Sequence, residues 1–350
     1  MGMIPDPVPI LPGDLLGLIK DFPNQIKEAL TLGTEVIIRD PIDHIIIAGV
    51  GGSGNAGEIL QSILWDDKIP VASCTGMTLP GFANAKTLVV LASYSGDADE
   101  TLSVYTDATK KKCRIMAVTS GGRLARMAKQ DGLATILLPR GLLPRQAYGY
   151  ILFTMLAVLS RSHLCEHHLL SFESSFESLL TLLERSPYIQ SAQALSKRLA
   201  TATPLIYTTP RLEGVGTRWA LTLNLSAKVH AFCSVLPNAT HTNLASFGMG
   251  KQQYHVIILH DDRDPLPLKR RIEAFKQVVR QSGTQVTDIE LKGISHLSKI
   301  VSACHLGDYV SYYLAETLGA DPVSIKKLDE FKALVRKGEG QKSLTYQFLG

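Results

Sequence analysis

Charge is scarce in this chain. Charged residues make up 19% of its 350 positions, and 36 Lys+Arg against 32 Asp+Glu leave a net charge of only +4. So diffuse an excess excludes the concentrated basic footprint of a nucleic-acid binder, and no nucleic-acid partner is expected. The densest basic run, Lys110-Lys111-Lys112, reads as an exposed helix end. Long apolar runs are missing too. The longest, Tyr148 to Leu159, falls short of the roughly 20 residues that span a bilayer, so no membrane partner is expected. Cysteine is sparse: five residues, Cys74, Cys113, Cys165, Cys233 and Cys304, are odd in number and widely scattered. They suggest neither a disulfide framework nor a zinc-ligand spacing and suit reduced thiols. No charged-then-apolar leader opens the chain, so a cytoplasmic location is expected. What is abundant is apolar: 45% hydrophobic residues, in a chain long enough for two domains with full cores.

One stretch organises the rest, His44-Ile-Ile-Ile-Ala-Gly-Val-Gly-Gly-Ser-Gly-Asn-Ala-Gly-Glu58. The unbroken run from Ile45 to Ala48 predicts a strand buried on both faces, as in a parallel sheet. Glycines and Ser53 follow, then a helical pattern from Asn55 through Trp65. Strand, glycine turn and helix N-terminus together aim backbone N–H groups at an anion, and phosphate is the expected guest. The same letters spell Gly49-x-Gly51-x-x-Gly54, a dinucleotide fingerprint. That fingerprint requires an acidic residue about 20 positions on, at the end of the second strand. The second strand, Val71 to Cys74, runs into Thr75-Gly76-Met77-Thr78 without a carboxylate. A phosphate ester is therefore preferred to NAD.

A proline-rich arm over residues 1–14 precedes a helix expected from Leu15 to Leu32. Strands are expected at 45–49, 71–74, 87–92, 114–118 and 134–138, alternating with helices at 55–65, 97–111, 123–131 and 145–161. This alternation predicts a mostly parallel, doubly wound sheet over 44–162. A helical bridge over 163–201 follows. Alternation then resumes over 202–336, with strands at 204–208, 230–235, 254–259 and 284–291. The helices of this half are expected at 212–227, 267–281, 296–318 and 323–336. Residues 337–350 read as a loose tail.

Candidate chemistry gathers at the strand ends. Ser93-Tyr-Ser-Gly-Asp-Ala-Asp-Glu-Thr101 follows the strand Leu88 to Ala92 and places hydroxyls beside the Gly51-Gly-Ser-Gly54 turn. Taken alone it is an ordinary serine-rich helix cap; beside the glycine turn it favours phosphate. Pro139-Arg-Gly-Leu-Leu-Pro-Arg145 brings Arg145 towards the same crevice, where a guanidinium neutralises phosphate or polarises a sugar oxygen. Thr217 to Lys228 is helical, and its Arg218 and Lys228 suit a salt-bridge role equally well. His241 lies in a polar turn, Leu236-Pro-Asn-Ala-Thr-His-Thr-Asn243, which favours a working role over a packing one.

The set of Gly51-Gly-Ser-Gly54, Ser93-Tyr-Ser-Gly96, Pro139-x-Gly-x-x-Pro-Arg145, Arg218 through Lys228, Pro237 through His241, and His305-Leu-Gly-Asp-Tyr-Val-Ser-Tyr-Tyr-Leu-Ala315 resembles the bifunctional phosphoglucose/phosphomannose isomerase family. The likeness runs from about His44 to Leu334. It implies an α/β fold of two tandem flavodoxin-like sugar isomerase (SIS) domains, a homodimer, and neither metal nor other cofactor. It also implies interconversion of aldose and ketose 6-phosphates. On this resemblance Gly52, Ser53, Ser93 and Ser95 hold phosphate, Arg145 steadies the enediolate, and His241 reaches in from the other subunit to open the sugar ring.

The departures bear on mechanism. The family reads Asn-Glu-Asn before its lysine, the glutamate being the base that carries the proton between C1 and C2; here the stretch is Asn224-Leu225-Ser226. Leucine accepts no proton. Its Ser-Gly-Asn-Thr becomes Ser95-Gly-Asp97-Ala98, so Asp97 must turn from the phosphate, as by capping its helix. The family's Pro-Glu and His-Asn-Glu become Pro237-Asn238 and His241-Thr242-Asn243. The expectation is a sugar-phosphate isomerase with an altered active site, or alternatively a non-catalytic sugar-phosphate-binding SIS protein. His305, expected to open onto the cleft, is the first candidate for a replacement base and Glu58 the second.

Overall fold

In a parallel sheet covered by helices on both sides, successive residues of one strand must enter different cores. Strand β1 (His44–Ala48) does this: Ile45 and Ile47 join one hydrophobic cluster, Ile46 and Ala48 another. A computed structural model of the chain describes residues 14–165, 178–183, 186–249 and 253–339. Residues 1–13 of the arm expected over 1–14, part of the bridge, and residues 340–350 of the tail expected from 337 lie outside the described residues; residues 337–339 of that tail belong instead to a helix that runs to Glu339.

Two parallel sheets carry the fold. The first contains β1, β2 (Val71–Cys74), β3 (Thr87–Ala92), β4 (Arg114–Thr119) and β5 (Ala134–Leu137), in the order β2-β1-β3-β4-β5. The second contains β6 (Thr203–Thr208), β7 (Phe232–Val235), β8 (Tyr254–His260) and β9 (Gln285–Glu290), in the order β7-β6-β8-β9. Each sheet reverses its winding next to its first strand. In the first, β1 pairs with β3 as Ile45↔Leu88 through Ala48↔Leu91, so the loops leaving both strands flank one crevice.

The helices are α1 (Leu15–Lys20), α2 (Phe22–Ala29), α3 (Gly51–Ile63), α4 (Asp99–Lys110), α5 (Gly122–Gln130) and α6 (Tyr148–Arg161), then α7 (Ser186–Leu199), α8 (Glu213–Thr222), α9 (Asn238–Thr242), α10 (Leu266–Gln281), α11 (His296–Leu318) and α12 (Lys326–Glu339). Most lie within a few residues of expectation, and four differ for physical reasons. The single helix expected over Leu15–Leu32 breaks at Asp21, because Pro23 supplies no N–H to continue the ladder and instead occupies the first turn of α2. Helix α3 starts at Gly51, four residues early: Gly51 takes a left-handed φ of +57°, and the glycine turn is itself the first turn of the helix. The helix expected to open at Arg145 begins at Tyr148, leaving 144–147 as a turn. The helix expected over 212–227 is three pieces, a 3-10 turn (Pro210–Leu212), α8, and a π-helical turn over Leu223–Ala227. No helix among the described residues is long and apolar enough to cross a membrane.

The two halves share a core. The cluster holding Ile45, Ile47 and Val90 of the first sheet also contains Ile206, Ile257 and Leu259 of the second, joined through α3, α8 and α11. Helices α3 and α8 meet so closely that a Cβ at Gly214 would lie 2.3 Å from the Glu58 carbonyl oxygen. Side chains lock the contact. Asn55 Nδ2 donates to Glu58 Oε2 at 3.0 Å and to Thr217 Oγ1 at 3.0 Å, and Thr217 Oγ1 donates to Glu58 Oε2 at 2.7 Å. Gly214→Ala is therefore expected to destabilise the protein by about 1–3 kcal/mol, the usual cost of overpacking. Gly76→Ala, whose methyl meets nothing within 4 Å, should change little; urea unfolding of the two variants checks the contrast.

Candidate active site

The first sheet's crevice is built from three loops. The first is the start of α3, where Val50 is extended and no side chain caps the helix, so its leading N–H groups face outward from the strand ends. The second follows β3. Tyr94 N–H donates to Ser53 Oγ at 3.1 Å, which joins the two turns expected to share a phosphate. The third follows β5: Tyr94 Oη donates to the Pro139 carbonyl at 2.8 Å and accepts from Leu142 N–H at 2.9 Å. Burial raises the Tyr94 hydroxyl above its ordinary pKa, keeping it a neutral donor. Sequence reasoning passed over Tyr94, although it stands between the two serines of the quoted motif.

Ser93 is buried, and its Oγ accepts from Gly96 N–H at 3.2 Å; Ser95 is exposed, and its Oγ accepts from Asp97 N–H at 3.3 Å. Each hydroxyl proton is thus left to a ligand or to water. Asp97 does not cap the helix that follows it; it accepts from the first turn of α5 instead, where Arg123 N–H donates to Asp97 Oδ1 at 3.0 Å. The Arg123 side chain also reaches Asp97 and, at 2.5 Å, Asp99. These exposed pairs contribute little stability. Their effect is on position, since both carboxylates are drawn to a cation.

Arg145 belongs to both halves. A Cβ at Gly52 would lie 2.6 Å from Arg145 Cα and 2.8 Å from the Pro144 carbonyl oxygen, so only glycine lets the turn at the start of α3 and the 144–147 turn touch. From there the side chain runs to the second half. Its Nε donates to Ser226 Oγ at 3.2 Å, and Nη2 donates to the carbonyls of Pro322 at 2.5 Å and Val323 at 3.3 Å. Burial and the neighbouring Arg218 charge lower the Arg145 pKa to about 10, which leaves it cationic at neutral pH. Ser226 sits on the π-helical turn beside Leu225. Asn224 Nδ2 donates to the Ala220 carbonyl at 2.7 Å and to the Ala231 carbonyl at 2.9 Å, holding the widened turn. Lys228 ends it in a left-handed conformation, with Nζ on the carbonyls of Leu225 and Ser324, both at 2.5 Å. Nothing in the sequence pattern marked the 322–324 carbonyls as partners of Arg145 and Lys228.

Contacts thus link Gly52 to Arg145, Ser53 to the loop that carries Ser93 and Ser95, and Arg145 to Ser226, the neighbour of Leu225. Two residues remain, His241, expected to act from the partner subunit, and His305. His241 is exposed on α9, which packs against β7 and the 3-10 turn Leu244–Ser246. His305, expected on the cleft, is buried among aromatic rings instead: Phe22 at 5.2 Å, Tyr188 at 6.2 Å and Tyr309 at 4.8 Å between centroids. Its Nε2 pairs with the Ile19 carbonyl at 2.8 Å, which makes Nε2 the protonated nitrogen. The reason is the N-terminal helices, whose apolar face covers this side of α11. Glu58, the second candidate base, accepts from Asn55 and Thr217 in the helix contact.

Burial lowers the His305 pKa from 6.5 to about 4. Between those values the unfolded chain holds a proton that the folded chain refuses, so acid favours unfolding. Stability is expected to fall by about 3 kcal/mol on this account as pH drops from 6.5 to 4. Urea unfolding at pH 7 and pH 4.5 checks it, and the difference should shrink in His305→Phe.

Known proteins match this architecture. The model of the bacterial phospho-glucose isomerase C-terminal SIS domain matches residues 189–335. A bifunctional phosphoglucose/phosphomannose isomerase of Caldicellulosiruptor bescii is 33% identical over 327 residues, which is 90% of this chain and 96% of that protein. One of Thermoplasma acidophilum is 31% identical over 289 residues, covering 83% of this chain and 88% of the relative. Among solved structures, a hypothetical protein of Thermus thermophilus superposes with a TM-score of 0.72 at 18% identity, covering 95% of this chain and 92% of that one. At one-third identity over nearly its whole length, the chain belongs to the bifunctional phosphoglucose/phosphomannose isomerase family.

Proposed function

We propose that the protein is a sugar-phosphate isomerase of the aldose–ketose type, acting on hexose 6-phosphates in the cytoplasm as a homodimer, with turnover attenuated by the loss of its glutamate base. The observation that carries this reading is a convergence: the Arg145 backbone lies against Gly52 of the anion-binding turn, and the Arg145 side chain meets Ser226, the neighbour of Leu225. In the proposed reaction the phosphate sits on the α3 N-terminus and the hydroxyls of Ser53, Ser93 and Ser95. His241 of the partner subunit opens the ring. With no protein base at Leu225, a water molecule takes the proton from C2 and a proton is returned from water to C1, through an enediolate whose negative charge Arg145 offsets.

The proton carrier is the missing piece. General acid–base assistance is worth about 10²–10⁴-fold, roughly 3–5 kcal/mol of barrier. Leu225 supplies none of it, and the two substitutes expected from the sequence are occupied, Glu58 in the α3–α8 contact and His305 on the Ile19 carbonyl. Binding groups are present where the proton-transfer group is not. The same pattern favours, as the second reading, a sugar-phosphate-binding SIS protein without catalysis.

A coupled assay of glucose 6-phosphate and fructose 6-phosphate interconversion separates these. Wild-type turnover is expected to be low, and Leu225→Glu to raise it at least tenfold with little change in affinity, since the added group acts mainly in the transition state. Robust wild-type turnover that Leu225→Glu does not improve would sink the proposal. Sugar-phosphate binding without turnover in either protein would favour the non-catalytic reading.

A further inference from the structure

Arg218 lies in the middle of α8 with no exposed surface. A buried guanidinium is tolerated only when its charge and donors are met, and here each of the three nitrogens donates a hydrogen bond. Nε and Nη2 fork onto Asp308 of α11, at 3.1 Å from Nε and at 2.8 and 2.9 Å from Nη2. The flat face lies 3.8 Å from the centroid of the Tyr148 ring. The remaining nitrogen, Nη1, crosses into the first half and donates to the Arg145 carbonyl at 2.7 Å. Burial works to discharge Arg218, and the Asp308 carboxylate outweighs it, so the group stays cationic.

An ion pair that served stability alone would be complete with Asp308. The third bond has a different consequence. The carbonyl it holds belongs to the turn whose other side, Pro144 O and Arg145 Cα, already presses on Gly52. Arg145 is thus held on both sides, its Cα and the peptide before it against Gly52 and its own carbonyl on Arg218, while its side chain runs on to Ser226. We propose that Arg218 is a positioning residue: without touching the ligand, it sets the Pro144–Arg145 turn against Gly52 and so fixes the phosphate site and Arg145 in one geometry. The consequence for ligand binding rests on the function proposed above. Lysine cannot replace it, because a single ammonium cannot fork onto a carboxylate and also span to a carbonyl.

The full-length chain with Arg218→Lys tests this by two measurements, backbone amide hydrogen exchange and the Kd for inorganic phosphate. Exchange in residues 50–56 and 145–147 should become at least tenfold faster, exchange in β8 should stay unchanged, and the Kd should rise at least tenfold. A role confined to stability would speed exchange at β8 and at the turn by the same factor; that result, or a folded variant with local exchange unchanged, overturns the proposal. Should Arg218→Lys not fold, Gly52→Ala decides, since it pushes the same turn from the other side. Faster exchange at 145–147 in Gly52→Ala supports the clamp, and unchanged exchange there refutes it. If wild-type protein binds no phosphate, the phosphate-site reading falls while the exchange measurements still decide the role of Arg218.

Discussion

A guanidinium with no exposed surface sits where the two halves of this chain meet. Arg218 and Asp308 are buried together, and removing water from both charges is costly unless every donor and lone pair finds a partner. That requirement ties α8 to α11 and both to the turn after β5. The apolar cluster shared by the two sheets then closes around the pair, with Tyr148 stacked on the cation and Trp219 donating from Nε1 to the Ala303 carbonyl at 2.8 Å. The apolar contacts supply most of the driving force, but they are directionless. The ion pair and its third bond supply the direction.

Tyr94 joins the loops after β1, β3 and β5 through neutral hydrogen bonds. Asp97 and Asp99 both pair with Arg123, whose charge offsets theirs beside the serines. Arg145 faces a leucine-bearing π-helical turn.

The second sheet has a corresponding crevice between β6 and β8, but it is filled from within. Lys299 of α11 donates to Asp261 at 2.6 Å and also contacts Asp262, and His296 stands 3.6 Å from Asp261. Two carboxylates at the end of β8 make that crevice hostile to phosphate. The chain thus uses one winding pattern twice, once beside a glycine turn that opens a helix and once for a closed polar joint.

The alternating strand and helix rhythm, the two-faced burial of Ile45 to Ala48, and the hydroxyl and glycine turns beside β1 and β3 were all determined by the sequence alone. Each depends on residues a few positions apart, where periodicity and turn chemistry act locally. The fate of single polar groups was decided by the tertiary structure. Nothing local shows that α1 and α2 would cover His305 and pair it with the Ile19 carbonyl, or that Arg145 would turn to Ser226 and the carbonyls of 322–323. The same holds for Arg218, whose donors are divided between Asp308 and a carbonyl 73 positions earlier in the chain. A buried donor takes whichever acceptor the packing brings within reach, and that choice spans distances over which sequence patterns carry no signal.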